Sequence, residues 1–178
     1  MGYKHSREDL LAAATGLAAE SGIGALTFGS VGLRLGISDR TVVYYFPTKD
    51  DLVAEVLMSM GLQLQATLAP AFTAPAADHL GLVRTAWPVL ARPEADGVFG
   101  LFFEANGLAA TGREPYRTVV PSLVEAWIDW AATFVEGPAK QRRVEAETAI
   151  AMIDGLLLLR QLAGSAAADR AACRLGVR

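Results

Sequence analysis

The sequence has very little of the chemistry that most enzymes and metal sites require. It contains one cysteine, Cys173, and two histidines, His5 and His79. A lone cysteine cannot form an internal disulfide, and it excludes the paired-cysteine spacing of structural zinc sites. Walker A loops, dinucleotide-binding glycine loops, nucleophile elbows and HExxH motifs are also absent. The sequence therefore argues against an enzyme and predicts neither a cofactor nor a metal site.

Long apolar runs are missing as well. Gly, Arg, Asp or Gln interrupts each apolar stretch before it reaches the length of a membrane span. The first residues, MGYKHSREDLL, lack the apolar core of a signal peptide. Together with the single cysteine, these features predict a cytoplasmic protein that does not contact a membrane.

The composition nevertheless supports a substantial folded core. Of the 178 residues, 52% are hydrophobic and 20% are charged, which is typical of a globular chain. Alanine and leucine dominate, runs of β-branched residues are short, and Gly and Pro fall between periodic segments. This pattern predicts an all-α protein with one large domain or two small ones.

Residues 27–49, TFGSVGLRLGISDRTVVYYFPTK, contain two short helical segments that meet at a corner on Gly36. Thr27 and Ser38 each stand where a hydroxyl group can cap the first turn of a helix. Apolar residues recur at a spacing of four on both helices, as Val31 with Leu35 and Val42 with Phe46. Two short helices that close over an apolar wedge are typical of a helix-turn-helix.

The second helix of this motif carries a polar surface suited to reading DNA. Its outward residues are expected to be hydrogen-bonding types: Asp39, Arg40, Thr41, Tyr44 and Tyr45. Lys49 opens the next helix, where a positive charge opposes the helix dipole. Contact with a DNA phosphate explains that position, and so does simple surface exposure. The predicted DNA-binding residues are Thr27, Ser38, Asp39, Arg40, Thr41, Tyr44, Tyr45 and Lys49.

The charge distribution is compatible with DNA binding but only weakly favours it. The net charge is −3, although residues 1–49 carry a small positive excess. Their basic residues are Lys4, Arg7, Arg34, Arg40 and Lys49, set against Glu8, Asp9, Glu20 and Asp39. One copy would neutralise few phosphates, so tight binding is expected to need two copies on one duplex.

A longer stretch around this motif resembles the TetR family of transcriptional regulators. The resemblance runs through REDLLAAATGLAAESG, IGALTFGSVGLRLGIS and FPTKDDLVAEVL. The positions that match the family pattern are Thr27, Gly36, Ile37, Ser38, Phe46 and Lys49. The chain departs from that pattern with Arg40 in place of a small residue, Val43 in place of Tyr, and Tyr45 in place of His.

The resemblance implies an architecture in two parts and a function. Residues 1–48 would form a three-helix DNA-binding domain, and residues 49–178 a helical ligand-binding and dimerisation domain. The protein would bind an operator in double-stranded DNA as a homodimer paired through its C-terminal helices. It would be a repressor released from that operator by a small apolar or aromatic effector. The alternative is a helical interaction or small-molecule-binding protein without DNA-binding activity.

Aromatic residues in the second part are the candidate ligand-binding residues. They are Trp87, Phe99, Phe102, Phe103, Trp127, Trp130 and Phe134. Aromatic side chains at helical spacing also serve as ordinary core, so a ligand cavity and a filled core both remain open. The polar groups that could orient a ligand are Glu104, Asn106 and Asp129.

Overall fold

The computed structural model describes residues 5–178, and it confirms the all-α prediction. Over that range the chain forms nine α-helices and no β-strand. The helices are α1 (Arg7–Ser21), α2 (Phe28–Leu35), α3 (Asp39–Tyr45), α4 (Lys49–Leu68), α5 (His79–Leu90), α6 (Asp96–Ala110), α7 (Tyr116–Ala132), α8 (Ala139–Ala163) and α9 (Ser165–Arg174).

The chain divides into two compact units. The first comprises Met1–Gln63 and Gly100–Pro121, and the second comprises Leu64–Phe99 and Ser122–Arg178. The first unit therefore contains all of residues 1–48 together with parts of α4, α6 and α7. The predicted division at residue 48 remains a prediction about which segment folds by itself.

Helix α1 is defined at both ends by local hydrogen bonds and backbone geometry. The amide of Asp9 donates to Ser6 Oγ at 3.2 Å, and the amide of Ser6 donates to Asp9 Oδ2 at 2.8 Å. This reciprocal pair is a capping box. The helix ends at Gly22, whose φ of 81° is a conformation that glycine adopts at low cost.

The two helices of the motif begin in different ways. Thr27 caps α2 as predicted, because its Oγ1 accepts from the amide of Ser30 at 3.0 Å. Ser38 stands at the N-cap of α3 but makes no side-chain capping hydrogen bond, so that part of the prediction is wrong. Its hydroxyl lies 3.2 Å from Thr41 Oγ1 instead. A hydroxyl–hydroxyl contact has replaced the expected contact with the backbone.

The corner between α2 and α3 is a Schellman turn. Gly36 has φ 66° and ψ 34°, the left-handed conformation common just after a helix. The amide of Ile37 donates to the carbonyl of Gly32 at 2.9 Å, and the amide of Gly36 donates to that of Leu33 at 3.3 Å. These two bonds satisfy carbonyls that the end of α2 would otherwise leave unpaired.

Apolar side chains fill the wedge between these helices. Val31 and Val42 are 0% exposed and Phe46 is 1% exposed. Helix α2 packs against both α1 and α3, and Leu26 before α2 is also fully buried. This packing holds the buried side of α3 in place and thereby determines which residues of α3 face outward.

Helix α4 begins with a capping box. The amide of Asp51 donates to Thr48 Oγ1 at 3.0 Å, and the amide of Thr48 donates to Asp51 Oδ2 at 3.0 Å. The segment Lys49–Ala71 is long and apolar enough to cross a membrane by length and composition, which the sequence analysis did not expect. Its apolar residues also supply core packing, since Leu52, Val53, Val56, Leu57 and Met60 are buried. A buried core helix satisfies the same criterion.

In the second unit, α8 packs against α5 and α9. The start of α5 is tied to α8 because the His79 amide and its Nδ1 lie 2.8 and 2.7 Å from Glu145 Oε2. This hydrogen bonding lowers the pKa of Glu145. The start of α6 is tied to α8 by Arg160, whose Nε and Nη2 donate to the two carboxylate oxygens of Asp96 at 2.6 and 3.0 Å.

Helix α7 contains a proline, and the C-terminal residues are helical. Helix α7 begins at Tyr116 and runs through Pro121, so it does not start at that proline. The C-terminal tail forms the short helix α9 rather than fraying. An isolated parallel bridge joins Ala76 to Val135 after α7, with the Ala76 amide donating to the carbonyl of Phe134 at 2.7 Å.

A glycine-to-alanine pair tests the corner of the helix-turn-helix. A Cβ atom on Gly32 would lie 2.9 Å from the carbonyl oxygen of Ile37 and 3.3 Å from the amide nitrogen of Asp39. Because both atoms are backbone, Gly32→Ala must displace α3, and we expect it to destabilise the protein by about 1–3 kcal/mol in urea unfolding. Gly29→Ala on the same helix is the control, since its Cβ would meet only Thr27 Oγ1 at 3.9 Å. Equal stability of the two variants would contradict this explanation.

Candidate functional site

Helix α3 has one buried side and one exposed side. Val42 and Phe46 lie in the core, four residues apart. Arg40 and Tyr44 are also four residues apart and lie on the opposite side, where Arg40 is exposed and Tyr44 is 68% exposed. The arrangement presents a guanidinium and a phenol together on the surface of the second helix of the motif.

The other predicted residues of α3 differ in exposure. Asp39 is exposed, while Thr41 and Tyr45 are half-buried and keep part of their surface accessible. The rings of Tyr44 and Tyr45 meet edge to face with centroids 5.1 Å apart. Tyr45 thus supports the exposed ring of Tyr44. Val43, which the sequence analysis did not include in the reading surface, is 40% exposed.

The polar residues at the helix starts are already engaged in local hydrogen bonds. Asp39 Oδ1 accepts from the amide of Arg40 at 2.8 Å. Thr27 and Ser30 exchange hydrogen bonds at the start of α2, while the Thr27 side chain remains at the surface. These contacts position Thr27, Ser38 and Asp39 at the outer end of each helix without burying them.

Two of the basic residues near the motif form ion pairs with carboxylates. Arg7 pairs with Glu55, and its guanidinium carbon lies 5.0 Å from the centre of the Phe46 ring. Arg34 makes a bidentate pair with Glu20 at 2.9 and 2.6 Å. Within residues 5–49, Arg40 and Lys49 therefore remain as the basic side chains without a carboxylate partner. Lys4 lies outside the described residues.

A carboxylate from α6 holds the segment that leads into α2. Glu104 Oε2 accepts from the amide of Ile23 at 3.0 Å, next to the positive-φ residue Gly22. Sequence reasoning considered Glu104 as a ligand contact and missed this role. The two partners are 81 residues apart, so no local pattern could have revealed the contact.

The seven candidate ligand-binding aromatics differ in their surroundings. Trp87 and Phe99 are buried, with 2% and 6% of their surface exposed. Phe102 and Phe103 are half-buried on α6, with ring centroids 5.7 Å apart and planes tilted by 54°. Trp87 and Phe99 therefore behave as core, while Phe102 and Phe103 keep accessible ring surface.

The remaining three candidates form a cluster at the end of α7. Trp127 meets Trp130 at 5.2 Å between centroids, and Trp130 meets Phe134 at 4.8 Å. Phe72, which the sequence analysis did not single out, stacks on Phe134 at 4.4 Å. The bridge between Ala76 and Val135 fixes the segment that carries Phe72 beside this cluster.

The three polar candidates for orienting a ligand also differ. Glu104 is bonded to Ile23, and Asp129 is an exposed partner of Arg143 at 3.2 Å. Asn106 has a buried side-chain oxygen, Oδ1, with no hydrogen-bond partner. A further acid, Asp154 on α8, is mostly buried, and this burial raises its pKa to about 6.

The fold and the site define a class of protein, namely a helix-turn-helix DNA-binding protein with a helical second part. Residues 10–56 match the family model for bacterial regulatory proteins of the tetR family. Among the residues the structure describes, no group of three or more His, Cys, Asp or Glu side chains is placed to hold a metal ion.

Solved structures extend the likeness over the whole chain. The multidrug binding protein EbrR, solved with proflavin, is 26% identical, with 95% of this chain and 98% of that chain covered and a TM-score of 0.65. A Rhodococcus sp. protein assigned to the TetR-family transcriptional regulators is 18% identical, with 91% of each chain covered and a TM-score of 0.72. A transcriptional regulator from Saccharomonospora viridis, solved with choline, is 21% identical, with 86% and 83% covered and a TM-score of 0.63.

These matches confirm the resemblance inferred from the sequence. The N-terminal part of the chain matches this family, and the chain as a whole has the fold of the solved regulators. None of the curated proteins matches the sequence.

The buried carboxyl group of Asp154 predicts a dependence of stability on pH. Burial raises its pKa from the ordinary value of 3.8 to about 6 in the folded protein. The folded state therefore binds this proton more tightly, and stability falls as pH rises from about 4 through about 6. We expect Asp154→Asn to stabilise the protein at pH 7.5 by on the order of 2–3 kcal/mol and to have little effect near pH 4. Urea unfolding at both pH values tests this, and the same change at both would contradict it.

Proposed function

We propose that the protein regulates transcription by binding an operator in double-stranded DNA through α3. The observation that carries this proposal is the pairing of exposed Arg40 and Tyr44 on α3, opposite the buried Val42 and Phe46. A helix held in this way can enter the major groove with its outer side toward the bases.

Each residue of this surface has a distinct proposed contact. The guanidinium of Arg40 is suited to bidentate hydrogen bonds with a guanine edge. The exposed methyl groups of Val43 can contact a thymine methyl group, and Tyr44 can reach a base or a phosphate. Lys49 contributes a phosphate contact at the start of α4. Further phosphate and sugar contacts are assigned to Thr27, Ser38, Thr41 and Tyr45. Asp39, whose carboxylate would repel a phosphate, is assigned to the amino group of a cytosine.

Tight binding by this surface calls for two copies of the chain. Among the described basic residues near α3, only Arg40 and Lys49 lack a carboxylate partner. Two cations per copy supply little electrostatic affinity for DNA. One side of α8 carries exposed apolar residues: Val144 at 52%, Leu158 at 41% and Leu162 at 79% exposed. We assign this side of α8, with α9, to a homodimer that places two α3 helices in successive major grooves, about 34–36 Å apart.

A small molecule is the proposed regulator of operator binding. Two proteins similar in structure were solved with proflavin and with choline. In this chain α6 carries the accessible rings of Phe102 and Phe103, and its Glu104 bonds to Ile23 ahead of α2. We propose that an effector favours a state in which the two α3 helices no longer match the operator spacing. The protein would then act as a repressor in the cytoplasm, and residues 49–178 would form its effector-binding and dimerisation domain.

A second candidate is a helical binding protein that does not contact DNA. The capped helices and the polar outer side of α3 weigh against it, because core packing alone does not require an exposed arginine and tyrosine. An enzyme is the least favoured class, since residues 10–56 match a family of regulatory proteins.

Substitutions on α3 test the proposed reading surface. The operator would first be selected from random duplex DNA with the purified wild-type protein. We expect Arg40→Ala to weaken binding to the selected sequence by roughly tenfold or more per half-site and to relax specificity at one position, because a bidentate base contact is lost. Lys49→Ala should weaken binding equally across sequences and reduce the salt dependence by about one ion per protomer.

The control for these substitutions is Arg117→Ala, an exposed arginine on α7 paired with Glu114. All variants should unfold at nearly the wild-type temperature. Unchanged operator affinity in Arg40→Ala and Tyr44→Ala would contradict the assignment of α3 as the reading helix.

Charge placed on the exposed side of α8 tests the dimer. We expect the double variant Leu158→Glu, Leu162→Glu to sediment as a monomer, because two carboxylates per chain would be buried against their counterparts. Its operator affinity should fall at least a hundredfold, since one reading helix per complex remains. Leu62→Glu on α4, which is 65% exposed, is the control. A dimeric double variant would show that another surface joins the copies.

A further inference from the structure

Asn106 on α6 carries an unsatisfied polar atom in the interior of the first unit. Its side-chain oxygen is buried and has no hydrogen-bond partner, although Asn106 itself is half-buried. A buried acceptor without a donor costs about 1–3 kcal/mol, so such groups are rare and call for a physical explanation. An asparagine retained at this cost is expected to find its donor outside the protein.

Helical spacing places Asn106 on the same side of α6 as the two half-buried aromatic rings. Phe102 and Phe103 precede Asn106 by four and three residues, so the three side chains share one side of α6. The rings are half-buried and tilted by 54°, which leaves part of each available to a flat molecule. The combination of ring surface and a single buried polar group is typical of small-molecule sites.

The other polar side chains considered for this role are already engaged. Glu104 lies on a different side of α6 and bonds to the amide of Ile23. Asp129 is 74% exposed and pairs with Arg143. Asn106 is therefore the polar group on this part of α6 that retains an unused hydrogen-bonding site.

We propose that Asn106 anchors the effector by accepting a hydrogen bond from an N–H group of a flat aromatic amine that lies against Phe102 and Phe103. This inference rests on the proposed function, because it names the chemistry of the effector. An amide oxygen is a neutral acceptor, and it selects a donor without requiring a formal positive charge. Aromatic amines combine that donor with a ring that packs on phenylalanine.

Proflavin is a suitable probe because it is a flat ring system with two amino groups, and a protein 26% identical to this chain was solved with it. The informative variants are Asn106→Leu, which keeps the size and removes the acceptor, and Asn106→Asp, which keeps the acceptor oxygen. Gly107→Ala is the control, since a Cβ atom at this exposed position of α6 would meet nothing within 4 Å. Proflavin affinity is measured by fluorescence, and unfolding temperature without ligand by calorimetry.

We expect Asn106→Leu to bind proflavin about tenfold more weakly, in line with the loss of one buried hydrogen bond. Its unfolding temperature should equal or exceed that of the wild type, because an unsatisfied buried acceptor has been removed. Asn106→Asp should bind proflavin at least as tightly as the wild type, and Gly107→Ala should bind it equally well. Higher stability with weaker binding is a combination that a purely structural asparagine would not give.

Three outcomes would overturn the proposal. The first is a lower unfolding temperature of Asn106→Leu with unchanged proflavin affinity, which would indicate a structural amide or a buried water. The second is equal loss of binding in Asn106→Asp and Asn106→Leu, which would indicate that the ligand supplies an acceptor. The third is a wild-type protein that does not bind proflavin. Operator binding by the wild type and by Gly107→Ala is measured in parallel. It tests the proposed function independently of proflavin binding.

Discussion

The close approach of α2 to the backbone that begins α3 determines the geometry of the reading surface. At Gly32 there is no room for a side chain, because the carbonyl of Ile37 would lie 2.9 Å from a Cβ atom. That proximity lets the Ile37 amide bond to the Gly32 carbonyl, and Gly36 turns the chain in the left-handed conformation that this bond requires. Once α3 is fixed against Val31, its Val42 and Phe46 side is buried and its Arg40 and Tyr44 side must face solvent. The exposed side of α3, which is the proposed reading surface, thus follows from a backbone contact inside the motif.

The same unit pairs much of its positive charge with its own carboxylates. Arg7 and Arg34 are each paired with a carboxylate, and Arg7 also lies over the ring of Phe46. Exposed ion pairs contribute little to the free energy of folding, but they neutralise positive charge that would otherwise attract DNA phosphates. Within the described part of this region, Arg40 and Lys49 are the basic side chains that remain available to attract DNA phosphates. A monomer with so few available cations gains little from counterion release, so the proposed pairing through the apolar side of α8 would offset the small positive charge of this unit.

Sequence patterns predicted the features that depend on nearby residues. The cap at Thr27 and the corner at Gly36 follow from contacts within five residues, and both are confirmed. The features that were missed depend on residues far apart in the chain. The pairs Arg7–Glu55 and Glu104–Ile23 are separated by 48 and 81 positions, and Phe72 reaches Phe134 from another segment. The half-burial of Tyr45 is likewise a tertiary effect, because helical periodicity indicates the side of a residue but not the depth of the surrounding packing.

Helix α6 offers a physical route from an effector to the reading unit. Glu104 and Asn106 are two residues apart, so their side chains diverge by about 200° around the helix axis. One therefore holds the segment ahead of α2 while the other lies with Phe102 and Phe103 on a separate side. A ligand on the second side can alter operator binding only if its affinity differs between two placements of α6 in the folded protein. The Glu104–Ile23 hydrogen bond is the contact that would transmit a change in the placement of α6 to the segment ahead of α2. Such coupling would be reciprocal. If the effector lowers the affinity for DNA by some factor, then DNA bound to the protein must lower the affinity for the effector by the same factor.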